Sequence, residues 1–318
     1  MPSNTRAWLL CCYSDENTVW YNLQNHYDLF DQIVVVYGPF GCYPVIREKV
    51  GLPIEDLTLS LVKQFIQQHD TEHKITLVEG TFADFTESRN AGLCKIDTDF
   101  FESRDCDEFY LDKNKSRIKS FFDTTDLTGV NCVYVGRRNF AIDFGYTVAR
   151  NRHKATTVKC GRTTFSLPGE GVEHFIPIAY RTNIGEFIKN QIDSFFVFKG
   201  TNQGIAFDLS RCTYLPDVVY NHYPFMAPPL ERLARSLYYS TIYNGVKPED
   251  IVVETDKKTR HPIARLGYEE VHYLKYSGEH PLVLSEQIRY IKDMEAFDNA
   301  DTEEKVKEVI GRFQHANN

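Results

Sequence analysis

One run of apolar residues, Ile33–Tyr37, constrains the fold of this chain more than any other feature. Its sequence, IVVVY, is apolar at every position and rich in β-branched side chains, which is typical of a strand buried on both faces. Such strands belong to parallel sheets whose two faces are covered by helices. Gly38, Pro39 and Gly41 follow directly and predict that the strand ends there.

The same pattern recurs up to residue 125. Short apolar runs alternate with segments whose apolar residues have helical spacing. Strands are predicted at Trp8–Tyr13, Ile33–Tyr37, Ile75–Val78 and Glu108–Leu111, and helices after Asn17, over Leu57–Gln68, from Ser88 and over Lys115–Phe122. This alternation predicts an α/β fold with a mainly parallel sheet flanked by helices.

The pattern changes beyond residue 125, where short strands follow one another without long helices between them. These strands are predicted at Asn131–Val135, Thr157–Cys160 and Thr163–Leu167, and later helices at Pro228–Asn244, Ser285–Phe297 and Thr302–Phe313. We therefore expect an α/β half over 1–125, a mixed α+β half over 126–284 and C-terminal helices over 285–318.

Composition excludes several classes of protein. The 318 residues carry a formal net charge of −8, which argues against a general affinity for nucleic acid. The exception is a local basic run, either a solvated face or a small patch, made of Arg137, Arg138, Arg150, Arg152, His153 and Lys154. No apolar stretch reaches the roughly 18 residues of a membrane span, and the apolar run before Tyr13 is too short for a secretory signal. The eight cysteines form no CxxC pair and are expected to be reduced thiols of a cytoplasmic protein.

Polar side chains follow the predicted strands. Ligands of open parallel sheets bind where the carboxyl ends of the strands meet. Asp15 and Glu16 follow the first strand, and Asp112 and Asn114 follow the fourth. Carboxylate and amide oxygens suit Mg²⁺ or Mn²⁺ holding a phosphorylated substrate. Asp112 could equally cap the helix that begins near Lys115, and both interpretations stay open.

Five segments resemble, in order, the nucleotide-sugar domain of family-2-like GT-A glycosyltransferases. They are CCYSDENTVWYNLQNHYDLFDQIVVVYG, ITLVEG, SRNAGL at residues 88–93, the DxD-like EFYLDKN, and the late pair NHYPFMAPPLERLARSLYY and SGEHP. The resemblance covers 1–125 and continues in patches to 285. It implies a GT-A, Rossmann-like fold in which 1–125 binds the nucleotide sugar and 126–284 forms the acceptor side.

The resemblance implies transfer of a sugar from a nucleoside diphosphate donor, with a UDP-sugar favoured, to an acceptor hydroxyl. Mn²⁺ or Mg²⁺ held by Asp112, Asn114 and His222 would stabilise the leaving diphosphate. The chain departs from the family's pattern at Asn114, where a second Asp is usual. An Asn carbonyl can bind a hard cation but brings no charge to it.

The implied donor site also includes an arginine that would contact phosphate or the acidic rim, and aromatic rings on which the base could stack. Its implied members are Tyr13, Asp15, Glu16, Tyr37, Arg89 and Asp112. An inverting reaction needs a base for the acceptor proton, and Glu170 and Glu173 in the segment PGEGVEHF are the candidates.

Several alternatives stay open. The acceptor is a saccharide or glycan by default, whereas a hydroxymethylated DNA base would draw on the basic run. A catalytically inactive nucleotide-sugar-binding or scaffold domain is the alternative to an enzyme, and a nucleotidyltransferase would need a glycine-rich phosphate loop that SDEN does not supply. His174, His222 and His280 could each be hydrogen-bonded core residues instead of ligands.

Overall fold

The computed structural model describes residues 4–53, 56–140, 146–149, 157–160, 163–166, 172–189, 194–227, 231, 234–235, 237–239, 241, 247–250, 254–255, 262–263, 272–275 and 280–285. Five α-helices have both ends within the described ranges: α1 (Val19–His26), α2 (Tyr43–Lys49), α3 (Thr58–His69), α4 (Phe85–Leu93) and α5 (Asp112–Thr124). Short 3₁₀ helices span Tyr27–Leu29, Ile205–Phe207, Leu209–Arg211, Pro224–Met226, Pro248–Asp250 and Leu282–Leu284.

Strands alternate with helices in the first half and follow one another in the second. In chain order they are β1 (Arg6–Cys12), β2 (Gln32–Tyr37), β3 (Ile75–Glu79), β4 (Phe100–Arg104), β5 (Glu108–Tyr110), β6 (Cys132–Phe140), β7 (Tyr146–Ala149), β8 (Thr157–Cys160), β9 (Thr163–Ser166), β10 (Val172–Arg181), β11 (Gly185–Lys189), β12 (Ser194–Phe198), β13 (Cys212–His222), β14 (Glu254–Thr255), β15 (Pro262–Ile263) and β16 (His272–Lys275).

Four parallel strands form the core of the sheet, in the order β3-β2-β1-β4. Successive side chains of β1 point to opposite faces. Trp8 and Leu10 pack with α1, α3 and α5, whereas Leu9 packs with α4 and the β11–β12 hairpin. Burying one such side chain stabilises the fold by about 1.5–3 kcal/mol. The prediction of a mainly parallel sheet covered on both faces is confirmed.

Helix α4 begins at a cap and lies unusually close to the sheet. The Asp84 carboxylate accepts the Glu87 N–H at 3.0 Å, and Glu87 reaches back to the Ala83 N–H at 2.5 Å, so the two side chains satisfy donors at the helix start. At Gly92 an added Cβ would lie 2.3 Å from Leu9 Cδ1 and 2.6 Å from Val36 Cγ2. Only glycine allows α4 to approach β1 and β2 this closely.

The fourth parallel strand is not the one that the sequence predicts. Strand β4 (Phe100–Arg104) pairs with β1, whereas β5 (Glu108–Tyr110) is a short antiparallel partner of β13. The apolar pattern does not predict β4, because its sequence, FFESR, contains the charged residues Glu102 and Arg104. Both are buried: Glu102 lies 3.6 Å from Arg104 and accepts the Tyr110 hydroxyl at 2.7 Å.

The second half extends this sheet with mixed pairing, as predicted. Strand β10 runs antiparallel to both β4 and β6, and β13 runs parallel to β6. The described residues of the 231–241 segment are helical, which agrees with the helix predicted over Pro228–Asn244. The helices predicted at Ser285–Phe297 and Thr302–Phe313 lie outside the described residues except for Ser285.

Two further expectations concern cysteines and membranes. The cysteines whose side chains the structure describes, seven in number, are all thiols outside any disulfide. Within the described ranges, every helix is too short or too polar to cross a bilayer.

Candidate functional site

The carboxyl ends of β1, β2 and β4 meet at one edge of the sheet. We call this edge the rim and define it by the last residue of β2 and the residues that follow the three strands: Tyr13, Ser14, Asp15, Tyr37, Gly38, Asp105, Cys106 and Asp107. Gly38 allows β2 and β3 to leave the sheet side by side, because a Cβ there would lie 1.8 Å from the Gly80 carbonyl oxygen. Asp105 and Asp107 were not among the residues that the sequence predicts.

A tight turn fixes Asp15 directly after β1. Ser14 has a positive φ of 66°, and the Asp15 carboxylate accepts the Tyr13 N–H at 3.0 Å. The Asp15 N–H donates to the Thr58 hydroxyl at 2.7 Å, which ties the turn to α3. Asp15 is therefore a rigid, 9 % exposed carboxylate at the base of the rim.

Arg235, on the 231–241 segment, reaches over the rim to Asp15. Its Nη2 donates to Asp15 Oδ1 at 2.5 Å and to the Ser14 carbonyl at 3.2 Å. Burial raises the pKa of Asp15, and the guanidinium of Arg235 opposes that shift. Glu231, one helical turn earlier, lies 3.7 Å from Arg235 Nε and 3.6 Å from Arg47 Nε. Arg235 thus places a partly buried positive charge, its side chain 28 % exposed, at the rim beside Asp15.

Asp105 and Asp107 form an acidic pair directly after β4. The Asp105 side chain is 49 % exposed and lies 3.8 Å from Arg89 Nη2. Asp107 is buried, with Oδ1 3.4 Å from His222 Nε2. Burial acts to raise the pKa of Asp107, but the electrostatic interaction and hydrogen bond with His222 and the charges of Arg235 and Arg137 outweigh it and lower the pKa to about 2. Asp107 is therefore an ionised carboxylate at neutral pH.

Helix α4 presents Arg89 to this pair. The guanidinium lies over the Phe85 ring, 4.2 Å from its centroid, and 5.6 Å from that of Phe187. Neighbouring Asn90 donates to the Phe187 carbonyl at 2.8 Å and accepts its N–H at 2.9 Å, as a strand partner would. The RN pair of the sequence motif therefore joins α4 to β11 and holds Arg89 beside Asp105.

His222 ends β13 and faces Asp107 across the rim. Its Nδ1 lies 2.6 Å from Arg137 Nη2 and 2.9 Å from Asn139 Oδ1, both on β6. Arg137 Nη2 in turn lies 3.7 Å from Glu108 Oε1. The imidazole is thus held on one side and presents Nε2 to Asp107 on the other.

The aromatic residues of the rim differ in exposure. The Tyr13 ring is only 5 % exposed and has Tyr37, Phe40 and Tyr43 within 6.3 Å, measured between ring centroids. Tyr37 is half-buried, and its hydroxyl lies 3.4 Å from Asp56 Oδ2. Burial and the Asp56 charge raise the pKa of Tyr37. Tyr37 thus has more ring surface available for stacking than Tyr13, and Glu16 is also partly exposed.

Asp112 and Asn114 have other contacts, at the start of α5. Asp112 lies 2.8 Å from Lys115 Nζ and accepts the Leu282 N–H at 2.7 Å. Asn114 is buried and donates to the Val219 carbonyl at 3.2 Å. The structure thus brings Asp15, Arg89 and His222 together at the rim, while Asp112 and Asn114 connect α5 to its neighbours.

The remaining predicted site residues fall largely outside the described part. Glu170 lies outside it altogether, and Glu173 belongs to β10 but its side chain is not described. The two late motifs do meet: the Tyr223 hydroxyl lies 2.9 Å from His280 Nδ1. Tyr223 is buried and stacks on Phe140 with centroids 4.5 Å apart.

The rim contains side chains of the types that bind divalent cations. Among the described residues no group of three or more His, Cys, Asp or Glu side chains could hold a metal ion by itself. Asp107 and His222 nevertheless supply an ionised carboxylate and an imidazole within 3.4 Å of each other, and Asp105 is two residues away. Mg²⁺ commonly takes only one or two side chains and completes its shell with water and substrate phosphates. Asp107 and His222 are thus of the types that such a cation takes, while the described side chains form no metal site by themselves.

No protein-family model matches the chain, and no curated protein matches it. Solved structures do. TarS 1–349 of S. aureus in complex with UDP-GlcNAc is 13% identical with a TM-score of 0.38, over 69% of this chain and 58% of TarS 1–349. The mannosyltransferase PcManGT of Pyrobaculum calidifontis, with GDP-Man and Mn²⁺, is 16% identical with a TM-score of 0.43, over 78% of this chain and 69% of that one.

Glucosyl-3-phosphoglycerate synthase of Mycobacterium tuberculosis, with Mn²⁺, UDP and glucosyl-3-phosphoglycerate, is 12% identical with a TM-score of 0.36, over 77% of this chain and 81% of that one. Each of these three TM-scores is below 0.5. The solved structures to which the chain is similar are of the GT-A glycosyltransferase type that its sequence resembles.

Proposed function

We propose that this protein transfers a sugar from a nucleoside diphosphate donor, with a UDP-sugar favoured, to an acceptor hydroxyl. The observation that carries the proposal is the acidic pair Asp105 and Asp107 at the end of β4, facing His222 and two arginines. A leaving diphosphate needs positive charge held in place before the bond breaks. The rim provides that charge beside carboxylates that can share a cation.

Each side chain has a distinct task in this proposal. Asp107 and His222, with Asp105 beside them, would hold Mn²⁺ or Mg²⁺, which supplies a Lewis acid for the diphosphate. Arg89, now beside Asp105, is within reach of the same phosphates and can make bidentate contacts. Arg235 would exchange its bond to Asp15 for one to a phosphate oxygen. These residues replace Asp112 and Asn114 in the ligand set that we propose.

The nucleoside and the acceptor lie on either side of this centre. Tyr37 is the ring on which we propose that the base stacks, with Tyr13, Asp15 and Glu16 forming the floor of that subsite. Glu170 and Glu173 remain our proposal for the base that takes the acceptor proton. A base needs to come within about 3 Å of that hydroxyl, or to act through one water.

The acceptor that we propose is a saccharide. A DNA base would draw on the basic run, yet two of its members have partners within the protein. Arg137 lies beside His222 and Glu108. The guanidinium of the buried Arg138 donates to the side-chain amide oxygen of Asn221 at 3.1 Å. The alternative of a catalytically inactive binding module was favoured by Asn114, which stands where a second Asp is usual. In our proposal Asp105 and Asp107 supply the carboxylates instead, so Asn114 no longer favours that alternative.

A donor screen tests the proposal. Purified protein is melted with UDP-, GDP-, ADP- and CDP-sugars in Mn²⁺, Mg²⁺ or EDTA, and release of the nucleoside diphosphate is followed with and without saccharide acceptors. A ligand at 100 times its dissociation constant stabilises the folded state by about 2.7 kcal/mol, which is readily visible. We expect a cation-dependent shift with a UDP-sugar and turnover with one acceptor class. Absence of a shift with every donor would overturn the proposal.

A further inference from the structure

Two cysteines lie side by side where β6 and β13 begin. Strand β13 runs parallel to β6, and Cys212, its first residue, is paired with Cys132, the first residue of β6. Paired residues of neighbouring strands point to the same face of a sheet, and both cysteines pack in the same apolar cluster. The two thiols are therefore neighbours although they lie far apart in the sequence.

The spacing of the two strands suits a disulfide. Neighbouring strands of a sheet lie about 4.7–4.9 Å apart, and the Cα atoms of a disulfide are usually about 4.4–6.8 Å apart. The two thiols are already in hydrogen-bond contact with each other. A bond between the two sulfur atoms is therefore compatible with the pairing of β6 and β13.

The two thiols differ in their access to solvent. Cys132 is fully buried, whereas Cys212 is partly exposed. The hydrogen bond with Cys132 lowers the pKa of the Cys212 thiol and outweighs burial and the Asp208 charge, which act to raise it. Because the thiolate is the nucleophile in thiol–disulfide exchange, Cys212 is the thiol that a reagent from solvent meets first. Cys132 then lies beside whatever group Cys212 carries.

We propose that Cys132 and Cys212 form a reversible oxidation site whose co-reactant is a small disulfide of the glutathione disulfide type. The Cys212 thiolate attacks one sulfur of the reagent, so that a mixed disulfide forms and one reagent thiolate leaves. Cys132 then attacks Cys212 Sγ, the protein disulfide forms and the second reagent thiolate leaves. Each released thiolate takes up the proton that a cysteine gave up. The protein loses two electrons and the reagent gains them.

This oxidation site is separate from the rim. The same two strands reach the rim at their other ends, through the pair Asn139 and His222. The proposal therefore does not depend on what binds at the rim. Oxidation instead changes the stability of the fold, because a disulfide constrains the unfolded chain, and the long loop between residues 132 and 212 favours a large effect. The oxidised protein should melt at a higher temperature than the reduced protein.

A second pair of thiols provides an internal control. Cys12 and Cys106 are also in hydrogen-bond contact, but they are only 3 % and 2 % exposed. Contact alone predicts that both pairs oxidise. Contact together with access to solvent predicts that only Cys132 and Cys212 do, since buried cysteines are inert towards reagents in solution.

Peptide mapping tests the proposal. The native chain is incubated with glutathione disulfide, the remaining thiols are alkylated, and the digested peptides are identified by mass spectrometry. We expect a peptide with Cys132 linked to one with Cys212, lost on reduction together with the gain in melting temperature, while Cys12 and Cys106 are alkylated. Glutathione that stays on Cys212, a link from Cys212 to another cysteine, or a link between Cys12 and Cys106 would overturn the proposal. So would an unreacted Cys212 when the exposed Cys94 has reacted.

Two variants assign the order of the steps. In Cys132→Ala, Cys212 should take up glutathione and keep it, because its paired thiol is gone. In Cys212→Ser, Cys132 should stay unmodified, because it is buried. Modification of Cys132 in Cys212→Ser as fast as that of Cys94 would contradict the assignment of Cys212 as the attacking thiol. The map of the unaltered chain needs neither variant, so the test holds even where a variant does not fold.

Discussion

The glycine of the RNAG motif gives the sharpest test of how α4 holds Arg89. In Gly92→Ala the new Cβ would lie 2.3 Å from Leu9 Cδ1 and 2.6 Å from Val36 Cγ2, and both side chains are fully or almost fully buried. Alanine gains about 1 kcal/mol of helix propensity over glycine, but overpacking a closed core costs about 1–3 kcal/mol. With two contacts under 3.0 Å in a closed core we expect the upper part of that cost, about 2–3 kcal/mol, and therefore a net loss of about 1–2 kcal/mol in the free energy of unfolding, measured by urea denaturation.

A double-mutant cycle identifies the clash as the cause. Leu9→Ala removes the nearest methyl group and by itself should cost about 2–5 kcal/mol. If Cδ1 of Leu9 is what the new Cβ meets, the double variant will be less destabilised than the sum of the two changes by about 1 kcal/mol. Additive free energies, or a Gly92→Ala protein as stable as wild type, would refute the close approach of α4 to β1.

Three further predictions concern single residues of α1, α4 and β4. Burial lowers the pKa of His26 to about 3 from an ordinary 6.5, so the unfolded chain binds the extra proton and stability should fall as pH drops from 6.5 towards 3. The loss should approach about 1.4 kcal/mol per pH unit, and urea melts at several pH values should show a flatter dependence in His26→Gln. Asn90→Ala removes the side-chain partners of the Phe187 N–H and carbonyl and should lower the free energy of unfolding by about 1–3 kcal/mol in the same assay. An unchanged urea midpoint would contradict the role of Asn90 in joining α4 to β11. Glu102→Leu leaves buried Arg104 without one partner and should cost about 3–5 kcal/mol, so a neutral effect would disprove the buried ion pair.

Apolar patterning predicted much of the fold and had a clear limit. The run Ile33–Tyr37 and the helical spacing of Leu57–Gln68 correspond to β2 and α3, because both elements bury side chains in the periodic way that the sequence displays. Strand β4 was missed because two of its five residues, Glu102 and Arg104, are charged. Their burial depends on ion pairs with residues elsewhere, which no local pattern reveals.

The site was harder to predict than the fold. Because the apolar pattern predicts the fourth strand at Glu108–Leu111, the oxygen ligands predicted after that strand are Asp112 and Asn114. A signal was present, since Asp105 and Asp107 are an Asp-x-Asp pair that directly follows FFESR. Arg235 could not be inferred in the same way, because its contact with Asp15 joins residues 220 positions apart, which no local pattern reveals.

A matched pair of variants tests whether the donor and its cation bind at Asp107 and not at Asp112. Asp107→Asn and Asp112→Asn each remove one negative charge, and they lie five positions apart in the same stretch of chain. The measurement is the thermal stabilisation by a UDP-sugar with Mn²⁺. We predict that Asp107→Asn abolishes the cation-dependent shift, while Asp112→Asn retains it. Loss of the shift in Asp112→Asn and its retention in Asp107→Asn would contradict the account.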